Sequence, residues 1–224
     1  MQRILSLNCI PNRVGNLRYS IPILLPHCDI FHLNLIGTFT EEQKEQIPYK
    51  DELDITQVNQ GGSELRFLHY GKYSEAYYFT LDDDILYPPD YVNTMIEQMQ
   101  YYSNKAICCV HGSFIDFDLK KDFFKYKSNL HFTQPLKQNT QVLVPGVGTS
   151  CFYTKNFRIS LDWFGTPNMS DAYITCFAYR EQVPVCAISR VPRWLKQLPE
   201  QGSSIWGNNP HTEIDTLIRS TFSL

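Results

Sequence analysis

The stretch Tyr77-Tyr78-Phe79-Thr80-Leu81-Asp82-Asp83-Asp84-Ile85 decides how the chain is read. It opens as an aromatic, β-prone run and closes on three consecutive acids. Charge is costly inside a sheet, so a strand over residues 76–81 reaches the sheet edge at Asp82. Residues i and i+2 of an extended chain share a face, which puts Asp82 and Asp84 on one side, about 6–7 Å apart. Asp83 faces the other way. Two hard carboxylates on one face suit Mg2+ or Mn2+ shared with phosphate oxygens. Such a metal neutralises a diphosphate and helps it leave. Open α/β sheets bind their ligands beyond the carboxyl ends of the strands, which is where these acids fall. The structural alternative is an acidic turn ahead of the next helix, with Asp84 and Asp90 as turn or cap residues.

Outward from this run, strand-like and helix-like segments alternate. Strands are expected over residues 3–10, 29–35, 53–58, 105–111, 141–144, 149–154 and 183–189. Helices are expected over 14–25, 64–71, 91–103, 170–180 and 213–220, with an exposed helical turn at 41–46. Pro22 lies near the end of the first helix or kinks it, and Pro88-Pro89-Asp90 opens the third. Residues 116–138 are polar, aromatic and Lys-rich and receive no assignment. The alternation predicts an α/β fold with a single, mostly parallel central sheet flanked by helices.

The 224 residues suffice for one domain, with 43% hydrophobic and 19% charged residues, as in a folded globular protein. A net charge of -3 argues against nucleic-acid binding, which needs a basic stripe. Seven cysteines, an odd number with no CxxC pair, read as buried reduced thiols rather than a zinc site. The N-terminus lacks the features of a signal peptide. No apolar run approaches the ~20 residues that span a bilayer. A cytoplasmic location is expected, with peripheral contact at the inner membrane face left open.

The run YYFTLDDDILYPPDYV, together with the N-terminal CIPNR, resembles the GT-A class of glycosyltransferases. It is most similar to small bacterial family-2-like enzymes of capsule and cell-surface polysaccharide synthesis. The resemblance implies one GT-A domain over 1–224. Residues 1–110 would be the nucleotide-binding half, 111–190 the acceptor and sugar half, and 191–224 a C-terminal lid and tail. It implies that Pro11 and Arg13 border the nucleotide, and that Arg66 approaches it too. Asp82 would contact ribose or metal, Asp84 would be the main ligand of Mn2+ or Mg2+, and Asp83 would hold the loop or the donor sugar. Arg13 and Arg66 are equally readable as surface charges.

Inverting sugar transfer needs a base that takes the proton of the acceptor hydroxyl. The resemblance places it at Asp171, although the usual Glu-Asp pair is here Ser170-Asp171. An aspartate in the first turn of a helix also serves capping and the helix dipole, and Asp162 is a rival. Gly146 and Gly148 resemble a donor-sugar loop, or form an ordinary tight turn. His111 and Trp194 are candidates for the acceptor or sugar pocket. His211 is a candidate third metal ligand, and residues 201–206 a lid. The leading expectation is transfer from a UDP-linked nucleotide-sugar donor to a glycan or lipid-linked acceptor. A nucleotidyltransferase is the alternative enzyme, though CIPNRVGN is a poor phosphate loop. A non-catalytic carbohydrate- or partner-binding protein is the third reading.

Overall fold

The computed structural model describes residues 1–115, 127–199 and 211–222. The first half lays down β1 (Gln2–Cys9), β2 (Ile30–Ile36), β3 (Asp54–Val58) and β4 (Ala76–Asp82). β1 pairs in parallel with both β2 and β4, and β2 with β3. An inner strand covered on both faces has no solvent side to alternate towards. Hence Ile4, Leu5 and Leu7 of β1 and Tyr78, Phe79 and Leu81 of β4 are all fully buried. The β1–β4 register sets Asn8 opposite Asp82, so both strands end at the same edge.

The expected first helix starts late. Residues Pro11–Asn16 form a 3-10 turn, and only Leu17–Leu24 is α-helical (α1). Pro22 lies inside α1, and its missing N–H goes with the early stop. α2 (Glu41–Glu45) is closed by a Thr40–Gln43 capping box. The helix expected over 64–71 is a correction. The chain makes two 3-10 turns, Ser63–Phe67 and Tyr70–Lys72. Glu64, Leu65, Phe67, His69 and Tyr70 are all buried there, so the side chains serve several directions rather than one helical stripe.

After β5 (Ile85–Leu86), α3 (Tyr91–Tyr101) runs as expected. It ends through Ser103 and Asn104, both at positive φ. The second half adds β6 (Ile107–Cys109), β7 (Gly112–Ile115), β8 (Lys127–Leu130), β9 (Thr140–Val142), β10 (Val144–Pro145) and β11 (Thr149–Tyr153). α4 (Ser170–Arg180), β12 (Val185–Ala187), β13 (Lys196–Gln197) and α5 (His211–Phe222) complete it.

The main sheet has the order β3-β2-β1-β4-β11-β6-β12-β9. β11 runs antiparallel between β4 and β6, and β9 is antiparallel to β12. The reversal of β11 matters for the site: its first residue, Thr149, pairs with Leu81, so the turn before it meets the end of β4. The segment expected as one strand over 141–144 is divided at Leu143 between the main sheet and a second sheet, β10-β7-β8. β13 closes on β5. A satellite cluster of Val144, Met169, Ala172, Cys176, Ile214 and Ile218 seats α5 against α4. All seven cysteines are free thiols; six are buried and Cys28 is half-buried. No helix among the described residues is long and apolar enough to cross a membrane.

A buried histidine gives the fold a pH signature. His32 of β2 is 0% exposed, bonds Tyr73 Oη through Nε2 at 2.6 Å, and stacks on His69 at 4.0 Å. Burial first, then the neighbouring His69, pushes His32 down to about 4. The folded state therefore binds this proton less readily than the unfolded chain does. Its contribution is complete above the ordinary histidine range, near pH 6.5, and is lost as pH falls towards 4. Thermal unfolding should show a Tm that drops across this window, and His32→Asn should flatten the drop while lowering the Tm at neutral pH.

Candidate functional site

A cleft of about 710 Å³ opens at the carboxyl ends of β1 and β4. Asp82, Asp83 and Asp84 line it, with Arg13 and Arg66, the Gly146–Gly148 turn, His111 and Asp171. The three acids do different work. Asp83 is 5% exposed and points back under the first-strand loop. It accepts from Arg13 Nη1 at 3.0 Å and from the backbone N–H of Ile10 at 3.2 Å. Burial pushes the Asp83 carboxyl up to about 6, against the lowering effect of Arg13. Arg13 Nη1 also reaches Asp84 Oδ2 at 3.0 Å. One buried guanidinium thus ties the loop after β1 to two of the acids, a bond made over about 70 residues of sequence.

Arg66 serves Asp82. Its Nη2 contacts Asp82 Oδ1, Nε donates to Leu81 O at 2.9 Å and Nη1 to Ser63 O at 2.9 Å. Burial lowers the Arg66 guanidinium below its usual range; among the charges that oppose this, Asp171 acts most strongly. Gly148 lies against the far side of the same carboxylate: a Cβ there would collide with Asp82 Oδ2. Tyr87 Oη joins the two segments, accepting from Asp82 N at 2.8 Å and donating to Gly148 O at 2.6 Å. Gly146 is equally constrained, with a Cβ placed 2.6 Å from that of His111. Both glycines are therefore matters of close approach.

Asp171 stands in the first turn of α4 and accepts from Val147 N at 3.0 Å. It is held to the same turn that abuts Asp82. Asp162, the rival carboxylate, is exposed on a 3-10 turn, Leu161–Trp163, and does not line the cleft. Trp194 is a correction to the expected pocket. It packs on Tyr91 at 5.7 Å, donates Nε1–H to Asp90 at 3.1 Å, and is not among the lining residues. Asp90 is thereby engaged as an anchor for the C-terminal segment. Pro11 lies beside the cleft rather than in its wall, near Gly37 and with its carbonyl bonded by Gln43. The His211 side chain and residues 201–206 lie outside the described residues.

Several residues that sequence reading passed over belong to the site. His131 and Phe132 stack at 4.3 Å and meet His111 at the cleft wall. They come from the unassigned stretch, and nothing in their local pattern marks them. Asn8 donates to Gly62 O at 3.1 Å, and Asn34 donates to Asn8 Oδ1 at 3.1 Å. Amides at the ends of buried strands were the available signal, since buried polar groups must be bonded.

Among the described residues no group of three His, Cys, Asp or Glu side chains could enclose a metal ion. Asp82 and Asp84 fit one as a half-site. Arg66 takes Asp82 Oδ1 and Arg13 takes Asp84 Oδ2, while no hydrogen bond from a described residue reaches Asp82 Oδ2 or Asp84 Oδ1. Hard oxygens of this kind, supplemented by phosphate and water, are what Mg2+ and Mn2+ take.

No family model matches the chain, nor does any curated protein. Solved structures do match. S. aureus TarS 1–349 in complex with UDP-GlcNAc aligns with a TM-score of 0.62 at 11% identity, over 99% of this chain and 66% of that one. Glucosyl-3-phosphoglycerate synthase from Mycobacterium tuberculosis, in complex with Mn2+, UDP-glucose and phosphoglyceric acid, aligns with a TM-score of 0.55. That match has 10% identity and covers 100% of this chain and 80% of that one. This chain thus spans 66% of the TarS structure's length. The fold is that of the GT-A glycosyltransferases.

The contact between Gly148 and Asp82 predicts a sharp effect. Gly148→Ala forces the methyl group into the carboxylate and should turn Asp82 away from Arg66. Calorimetric titration with UDP and Mn2+ should show binding weakened by about tenfold or more, equivalent to the loss of one charge-assisted contact.

Proposed function

We propose that the protein is a metal-assisted glycosyltransferase that moves a sugar from a UDP-linked donor to a glycan or lipid-linked acceptor. The observation that carries this reading is a connection. Asp171 bonds the Gly146–Gly148 turn, and that turn abuts Asp82 beside Asp84. A base and a diphosphate-binding edge thereby share one cleft. The fold it has in common with two UDP-sugar-bound glycosyltransferase structures supports the donor class.

In this reading the diphosphate lies at the edge formed by Asp82 and Asp84. The divalent ion held there supplies neutralisation of the leaving group. Arg66 and Arg13 keep both carboxylates aimed at the cleft while balancing part of their charge. Asp83 holds the first-strand loop rather than the sugar, since both its oxygens are engaged and buried. The Gly146–Gly148 backbone lets the donor sugar approach closely. Asp171 takes the proton from the acceptor hydroxyl as its oxygen attacks the anomeric carbon, and the configuration inverts. His111, with His131 and Phe132, forms the wall against which the acceptor lies. We place the activity in surface polysaccharide synthesis at the cytoplasmic face of the membrane, with 1–224 acting as one catalytic domain.

Thermal shift with UDP, GDP and CMP, each with and without Mn2+, tests the donor reading. UDP with Mn2+ should stabilise the fold most, as a ligand of the native state must. Asp84→Ala should remove the metal-dependent part. Asp171→Asn should keep UDP binding and lose turnover by about a hundredfold or more, the scale of general-base catalysis. If no nucleotide shifts the Tm, the proposal fails; if Asp171→Asn loses binding as well, Asp171 is structural.

A further inference from the structure

The segment that carries Arg66 and the helix that carries Asp171 are joined by a clasp centred on Glu64. Its carboxylate is buried, 7% exposed, and no salt bridge among the described residues reaches it. Its Oε1 accepts from Gly62 N at 2.7 Å and its Oε2 from Asn168 N at 3.0 Å. Asn168 returns the contact: its Oδ1 accepts from Ser63 N at 3.1 Å. Ser170, the first residue of α4, adds a hydroxyl bond to Ser63 Oγ at 2.7 Å. Gly62 lies so close that a Cβ would strike the Asn168 side chain. Asn168 itself sits at φ 62, a left-handed conformation that asparagine tolerates better than most residues.

A buried carboxylate is an expensive way to fill space. Its distinguishing chemistry is two acceptor oxygens and no donor, and here both oxygens receive a backbone N–H. The two amides belong to segments more than 100 residues apart in sequence. Glu64 is two positions from Arg66, which grips Asp82. Asn168 is three positions from Asp171. Among the described residues Asp171 therefore has two tethers, one through Val147 to the Gly148–Asp82 contact and one through Asn168 to Glu64.

We propose that Glu64 is a positioning residue: the clasp it makes with Asn168 sets the distance between the base Asp171 and the donor held at Arg66 and Asp82. This inference rests on the base reading of Asp171. It assigns Glu64 no contact with substrate. Glu64→Gln keeps size and shape but turns an NH2 group towards one of the two amides. Arg66 keeps its bonds to Leu81 O and Asp82, so the damage falls on the spacing to Asp171.

The test uses the whole chain with Mn2+. UDP release from UDP-GlcNAc and UDP-glucose, with water as acceptor, gives turnover, and calorimetry gives the UDP Kd. Glu64→Gln should lower kcat by about ten- to hundredfold, the effect of a displacement near 1 Å. KM and the UDP Kd should stay within about twofold. The same substitution placed on Asp171→Asn should cost nothing further, because the base it positions is gone. If Glu64→Gln proves too unstable, Glu64→Asp keeps the charge, withdraws the carboxylate from the Asn168 amide by one methylene and is read in the same way. Unchanged kcat, additive losses, or parallel losses of kcat and UDP affinity would overturn the inference. Should Asp171→Asn turn over at the native rate, the base reading falls and the inference with it. Should Asp171→Asn be dead while Glu64→Gln is fully active, only the inference falls.

Discussion

Asp82 ends β4 with its carboxylate pressed between the Arg66 guanidinium and the Cα of Gly148, and every other feature of the cleft takes its position from that contact. It brings the 61–66 loop, the end of the central strand and the turn before β11 to one point. The antiparallel course of β11 makes this possible, because only a strand running against β4 starts where β4 stops. Tyr87 then bonds both backbones and leaves the turn no freedom to drift. Asp171 joins through Val147, at the residue between the two close-packed glycines.

The three acids form a graded set rather than a uniform patch. Asp83 is spent on architecture, pinning Ile10 and Arg13 from beneath. Asp82 and Asp84 each give one oxygen to an arginine, and no hydrogen bond from a described residue reaches the other. The two arginines limit mutual repulsion in a crowded anionic edge. A bare cluster of three acids this close would shift its pKa values upward and lose charge, and hence affinity for a cation. Asp83 rises to about 6 chiefly through burial, with Arg13 opposing the rise and Asp84 adding to it.

Much of this was legible in the sequence because period and cost are local. The run of apolar residues ending in acids gave away β4 and its end at Asp82. Strand geometry did not extend to the acids themselves: β4 ends at Asp82, Asp83 and Asp84 lie in the turn that follows, and one Arg13 nitrogen bonds both of them. That Asp171 and the paired glycines would line one cleft was suggested only by resemblance, since a first-turn aspartate and a tight turn have ordinary explanations. The 64–71 segment misled because its helical composition yields to burial on several sides. β7, β8 and β10 are short strands whose pairing is wholly non-local, so no window of sequence reveals them. Trp194 misled for a related reason: an aromatic beside basic residues looks like a binding surface, whereas Tyr91 and Asp90, about a hundred residues earlier, claim it as an anchor.

β13 lies along β5, and Leu198 N and the Gln197 side chain both bond the backbone carbonyl of Asp84. These partners are 113 or more residues apart in sequence. A ribosome therefore delivers the acidic triplet long before the segment that braces it. Until then the Asp84 carbonyl lacks both of these partners, although Arg13 already reaches its carboxylate. The edge of the cleft is thus braced only once the segment over 196–198 is in place.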